Sequence, residues 1–225
     1  IYGLGSPEYY RGMNLELQVG KTYRREDLLL HLVEMQYKRN EMEFTRTQFR
    51  VRGDVIDIFP AYEEELAIRL EFFDEELERI LEIHPLTGRV LCKREEVTIY
   101  PGSHHVTPEE VRWKAVESIR QELQERVQFF EKEGRFLEKQ RIEQRTKYDL
   151  EMIRETGTCK GIENYSRHFS QRNEGEPPPC LIDYFPPDFL FIIDESHQTL
   201  PQLHAMANGD RARTQSLVDF GFRLP

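Results

Sequence analysis

Only three cysteines occur, Cys92, Cys159 and Cys180, far apart and never paired as C-x-x-C. That excludes a disulfide framework or a zinc site and leaves reduced thiols. No apolar run reaches the roughly 20 residues that a bilayer crossing requires. The start, Ile1-Tyr2-Gly3-Leu4-Gly5, has neither the basic region nor the apolar core of a signal peptide, so a soluble, cytoplasmic protein is expected. A basic excess is missing too. The net charge of −10 and pI near 5.3 exclude a chain whose whole surface grips phosphates, and any DNA contact is local. Internal repeats are absent, which excludes a solenoid. The first residue is not Met, and Phe222-Arg223-Leu224-Pro225 ends without a polar tail, so both ends read as cuts through a longer chain.

What is present is enough for one large or two small domains: 225 residues, of which 38% are hydrophobic and 32% charged, the charge pointing to long exposed helices. Ser6-Pro7-Glu8 supplies an N-cap, a Pro at N1 and a first-turn acid for a short helix. From Arg25 to Tyr37 the apolar residues Leu28, Leu29, Leu32 and Val33 share one face of a second helix, stopping at Arg39-Asn40. Between Phe44 and Tyr100 the period changes to two. Phe49 and Val51 alternate with Arg50 and Arg52, and Ile68, Leu70 and Phe72 with Arg69 and Glu71, with turns at Arg52-Gly53-Asp54, Asp74-Glu75 and Pro85 to Gly88. Thr107, Pro108 and Glu110 open a helix with the seam Val111, Ala115, Ile119, Leu123, Val127 and Phe130. Gly134 breaks it, and a second helix runs through Leu137, Ile142, Tyr148 and Ile153 to Gly157. A polar loop with a stiff Pro177-Pro178-Pro179 follows. Then Phe189 to Ile193 is a continuous apolar run, the pattern of a buried parallel strand. The expected divisions are 1–42; 43–101, an inserted β module; 102–160, a helical subdomain; and 161–225, which carries the strand pattern.

The run ends in Asp194-Glu195-Ser196-His197. A strand delivering Asp-Glu is how P-loop ATPases place an Asp on Mg²⁺ and a Glu beside the attacking water, although a strand also ends in solvated acids. The form D-E-x-H is that of helicase-class ATPases, in which His197 would sense the nucleotide state, although the four letters allow a surface His equally. A phosphate loop should accompany it, and Gly20-Lys21-Thr22 is tempting; but G-x-x-x-x-G-K-[ST] needs a glycine where Leu15 stands. Without that glycine the backbone does not wrap a phosphate. Arg50, Arg52, Arg69 and Glu71 fall on one face of the β module, which is either a solvated sheet face or a partner surface. Arginine in place of lysine favours the partner. Arg135, Lys139, Arg141, Arg145 and Lys147 form the most basic stretch, suited to a DNA backbone or simply to solvent. Tyr165 and Arg167, within Ile162 to His168, could meet a nucleic-acid strand, though a buried Tyr would look the same. The adjacent His104 and His105 are read as structural. Gly209-Asp210-Arg211-Ala212-Arg213 would serve DNA, nucleotide or helix pairing.

The chain resembles the UvrB family over its length, at Ile1 to Gly5, Phe49 to Asp54, Gly161 to Arg167, Asp194 to His197 and Gly209 to Arg213. The resemblance implies an α/β chain: part of a P-loop helicase-like lobe with a helical subdomain and an inserted small antiparallel β module that docks UvrA through Arg50, Arg52, Arg69 and Glu71. It implies a parent that receives damaged DNA from UvrA, verifies the lesion with ATP and recruits UvrC. Asp194 would hold Mg²⁺ through water or nucleotide, Glu195 would position the water, and Arg141, Arg145, Tyr165 and Arg167 are the DNA candidates. The phosphate loop, the DNA-gripping hairpin, the second lobe and the UvrC-contacting coiled coil are lacking here, so no ATP, Mg²⁺ or hydrolysis is expected of this chain alone. A transcription-repair coupling factor shares such a docking module but is degenerate around the ATPase motif. A self-sufficient ATPase through Lys21 is the other reading.

Overall fold

The computed structural model describes residues 3–173 and 175–225. Ile1 and Tyr2 of the opening motif, and Glu174 of the polar loop, lie outside the described residues. The chain divides into two compact units, Gly5–Pro108 and Glu109–Pro225, the latter joined by Ile1–Leu4. It is a mixed α/β chain whose strands are mostly antiparallel.

In the first unit, helix α1 (Pro7–Gly12) leads to strand β1 (Leu15–Gln18) and helix α2 (Arg25–Glu34). Strands β2 (Lys38–Arg39), β3 (Gln48–Arg52), β4 (Val55–Phe59), β5 (Ala67–Phe73), β6 (Glu76–Ile83) and β7 (Val90–Arg94) then form a six-stranded sheet in sequential order. Strand β8 (Glu96–Ile99) turns back to pair with β1. The turns are where local chemistry requires them: Gly53, Asp74 and Gly88 have positive φ at the β3–β4, β5–β6 and β6–β7 connections. Because strand side chains alternate, one face gathers Phe49, Ile56, Ile58, Ile68, Leu70 and Ile80 into a core with Leu28 and Leu32 of α2, Leu17 of β1 and Ile99 of β8. Helix α2 stops before Tyr37. Gln36 takes a left-handed φ of 67°, which turns the buried Tyr37 into this core, where its hydroxyl donates to the Tyr100 carbonyl at 2.9 Å. Burial holds Tyr37 protonated well above the usual phenol range.

The glycine of Gly20-Lys21-Thr22 sits at a φ of 80° in the turn after β1. The Gly20 amide donates to the Leu77 carbonyl at 2.8 Å, the Lys21 amide to Gln18 at 3.3 Å, and the Lys21 carbonyl accepts from Leu77. The amides that would have to cradle a phosphate are bonded to backbone carbonyls instead.

In the second unit, helices α3 (Glu109–Lys132) and α4 (Phe136–Thr156) form a hairpin about Gly134. A 3₁₀ turn (Ile162–Tyr165), a short helix α5 (Ser166–Phe169) and a long helix α6 (Ser196–Asp219) follow. The expected α3 seam is buried at Ala115, Ile119, Leu123 and Phe130. On α4 the seam runs through Ile142, Thr146, Leu150 and Ile153, while Leu137 and Tyr148 face solvent. Gly157, left-handed at a φ of 76°, ends α4 by returning its amide to Ile153. The C-terminus of α6 is held by arginines of the hairpin. Arg126 donates to the Val218 carbonyl at 3.1 Å, Arg135 to Asp219, and Arg141 to Phe220 at 2.6 Å. These are acceptors with no partner inside the helix, and cations there complement its dipole.

One expectation is corrected. Phe189 to Ile193 forms no strand, and Leu190 is 85% exposed. A buried parallel strand needs neighbours to accept its ladder, and every described strand belongs to the unit Gly5–Pro108.

Cys159 is buried, and that burial, with the charges of Asp149 and Glu163, pushes its thiol up to about 12. Since the thiolate is the reactive form, a thiol reagent at pH 8 should modify the exposed Cys92 rapidly and Cys159 only after unfolding. Mass mapping of the labelled sites checks this, and rapid labelling of Cys159 in the folded chain would contradict its burial.

Candidate functional site

The face of the sheet opposite the main core carries the charged residues. Cross-strand register sets Arg50 of β3 opposite Asp57 of β4, and Asp57 opposite Arg69 of β5. Asp57 is 2% exposed, a burial that an isolated carboxylate does not tolerate. Two guanidiniums satisfy it. Arg50 donates from Nε at 2.9 Å and lies 2.8 Å away through Nη2; Arg69 donates from Nε at 2.7 Å and from Nη2 at 3.1 Å. The bond to Asp57 holds Arg69 protonated more firmly than usual. The planar fork of arginine makes such paired bonds possible where lysine would not.

Next along the same face, Arg52 is exposed opposite Val55, which in turn faces Glu71. Glu71 is engaged by Arg79 of β6 at 2.7 Å. The four residues expected at a partner surface are thus brought onto one sheet face, but in two conditions. Arg50 and Arg69 are largely covered and locked on Asp57, whereas Arg52 projects into solvent.

Asp194, Glu195 and His197 occupy an exposed turn that opens α6. Asp194 Oδ1 accepts the Glu195 amide at 2.9 Å, Glu195 takes a left-handed φ of 49°, and His197 Nδ1 lies 3.4 Å from Glu195 Oε2. In the helical unit, Tyr165 is 5% exposed and donates to Asp149 Oδ2 at 2.7 Å, with Arg145 Nε 3.7 Å from the same oxygen. Burial, then the bond to Asp149, keeps the Tyr165 proton on. Tyr165, a DNA candidate on its sequence, is packed in the core of this unit. Arg167 is paired with Glu122, whose other oxygen lies 2.7 Å from His168 Nε2, and Arg141 caps α6 while lying 4.1 Å over the Phe222 ring.

Residues 15–105 match the family model described as the UvrB interaction domain, and residues 110–171 match that of the UvrB third helical domain. The chain belongs to the UvrB family. It is 72% identical to the UvrABC system protein B of Protochlamydia amoebophila (strain UWE25), over all of this chain and 33% of that protein. Identities are 59% to the protein of that name from Geobacillus kaustophilus (strain HTA426) and 55% to the one from Burkholderia mallei (strain ATCC 23344), covering 34% and 32% of those proteins. The chain spans about a third of the length of the curated relatives it matches.

In this UvrB-family chain the Asp-Glu-Ser-His turn is exposed. Among the described residues no three acidic, His or Cys side chains cluster as metal ligands, and the acids stand in solvent with no phosphate-gripping amides described beside them. Asp57 escaped the sequence reading, although one signal was present: an acid in the middle of the apolar strand Val55-Ile56-Asp57-Ile58-Phe59, where only a partnered charge is stable. The Ser118, Glu122 and His168 network was also missed, because its members are separated by helix turns and a loop; Ser118 Oγ lies 2.9 Å from His168 Nδ1.

Asp57→Ala should destabilise the β unit by about 3 kcal/mol, since it leaves two guanidiniums unpaired in a largely buried site. Urea denaturation followed by circular dichroism measures this, and an unchanged midpoint would remove the structural role assigned to Asp57.

Proposed function

We propose that the unit Gly5–Pro108 is a docking module for UvrA, and that the chain serves bacterial nucleotide excision repair as part of a protein that loads onto damaged DNA, verifies the lesion with ATP and recruits UvrC. The observation that carries this reading is the charged sheet face. Asp57 fixes Arg50 and Arg69 in a defined geometry, so a partner's carboxylates would meet guanidiniums already ordered, with little side-chain entropy left to lose. The exposed Arg52 and the Glu71–Arg79 pair extend that face. The match to the UvrB interaction domain supports the same assignment.

The P-loop lobe, with ATP and Mg²⁺, belongs to the whole protein in this reading. Asp194 and Glu195 contribute the carboxylates, His197 the nucleotide sensor, and the phosphate-binding amides come from outside this sequence. Damaged DNA is likewise a partner of the whole protein. Of the basic DNA candidates here, Arg145 keeps the most exposed guanidinium, while Arg141 and Arg167 are occupied internally. A cytoplasmic location agrees with three unpaired cysteines, and among the described residues no helix is long and apolar enough to cross a membrane.

Two measurements bear on this reading. In a pull-down on purified UvrA, Arg52→Glu should weaken retention of the chain at least about tenfold, the range of a charged interface residue reversed in sign; full retention of the folded variant would remove Arg52 from the docking face. The 225-residue chain alone should show no ATP turnover. Turnover that disappears in Lys21→Ala would establish instead a nucleotide site at Gly20-Lys21-Thr22.

A further inference from the structure

The sheet face that carries Arg50, Asp57 and Arg69 is charged over only part of its area. Toward the opposite strand ends the same face carries Phe59, Ala67, Leu81 and Ile83, a small apolar cluster against which Phe44 packs. Helix α2 lies on the main core, whereas the Phe44 ring packs on this second cluster, 5.6 Å from Phe59. The cluster itself is buried. Beside it opens a pocket of about 440 Å³ lined by Phe44, Phe59, Pro85 and Leu86 and flanked by Glu64 and Glu65, a volume within the range of roughly 300–1,000 Å³ that receives ligand groups.

Leu86 stands at the β6–β7 turn with 86% of its surface exposed. The turn is held in shape by the amides of Leu86 and Thr87, which donate to His84 Nδ1 at 3.3 and 3.4 Å. A lone exposed leucine needs no explanation, but one fixed on the lip of an open apolar pocket extends that pocket into a contact patch. The rim is acidic. Glu64 and Glu65 are both exposed, and Arg46, the cation that lines the pocket with them, lies 3.6 Å from Glu64. The patch also adjoins the arginine face directly, because the Arg50 guanidinium lies 4.3 Å over the Phe44 ring.

We propose that this pocket is the apolar end of the docking surface, and that it takes an aliphatic or aromatic side chain carried by the partner next to a lysine or arginine. The proposal rests on the docking reading above. The arginine face would meet acids of the partner, Glu64 and Glu65 would meet its base, and the apolar anchor would fill the pocket between them. Complementary charge at two ends fixes the register of the complex, and a buried anchor carries most of its affinity.

Equilibrium binding of the full 225-residue chain to purified UvrA tests this, with wild type beside Arg52→Glu, Leu86→Asp and the double variant Glu64→Lys/Glu65→Lys. The substituted side chains are exposed, and circular dichroism verifies that each variant is folded. Leu86→Asp should weaken binding about tenfold and the charge reversal several-fold, as expected for an anchor contact and its rim. If Arg52→Glu weakens binding while either pocket variant binds as tightly as wild type, the pocket proposal is overturned and the docking reading stands. If the wild-type chain fails to bind UvrA, the docking reading falls, and the pocket proposal with it.

Discussion

Asp57 lies inside the sheet with an arginine on each side, and the charged face of the first unit depends on that arrangement. A carboxylate at that depth requires cations, and the cations it recruits come from β3 and β5, the strands flanking its own. Three strands are thereby tied by side chains as well as by backbone. The two guanidiniums are in turn fixed on Asp57, and with the exposed Arg52 beside them they give a cationic face in a chain whose net charge is −10. Local order thus substitutes for global charge: an acidic protein presents a basic patch because one acid has been placed beneath it.

The second unit uses the same physics for cohesion. Asp149 is buried on α4 and is met by the Tyr165 hydroxyl and, at longer range, by Arg145. Glu122 on α3 is shared by Arg167 and His168. The buried Asp149 and the half-buried Glu122 draw the segment after α4 onto the helical hairpin, so that the segment is held by directional bonds as well as by Ile162 and Phe169 in the core. Three arginines then cap α6 at the end remote from the Asp-Glu-Ser-His turn. Much of the basic character of Arg135 to Lys147 that reads as a phosphate-binding stretch is satisfied by carbonyls and carboxylates of this unit.

Much of the fold was legible in single-residue periodicities. Alternation marked Phe49 to Arg52 and Ile68 to Phe72 as strands, Gly53 and Gly88 marked turns, and the spacing from Ala115 to Phe130 marked the buried side of α3, because each of these signals depends only on near neighbours in the chain. Phe189 to Ile193 was misread for the converse reason. Its composition is that of a buried strand, but a strand exists only beside another, and composition does not report whether the neighbour is there. Tyr165 shows the same limit: a tyrosine among polar residues is written identically whether its hydroxyl meets Asp149 or a nucleic-acid strand.

The sequence by itself determined the family, the charged and apolar faces of the β unit, and the failure of Gly20-Lys21-Thr22 as a phosphate loop, since these rest on residue identity and on spacings of a few positions. Tertiary structure decided which charges remain available. Pairing of β3, β4 and β5 is what puts Arg50 and Arg69 on Asp57 and leaves Arg52 exposed, and the approach of Phe44 to Phe59 and the Pro85–Leu86 turn is what forms a pocket beside them. Those outcomes follow from contacts between residues distant in the chain, whose geometry is fixed only when the sheet is assembled and a buried charge must find its partner.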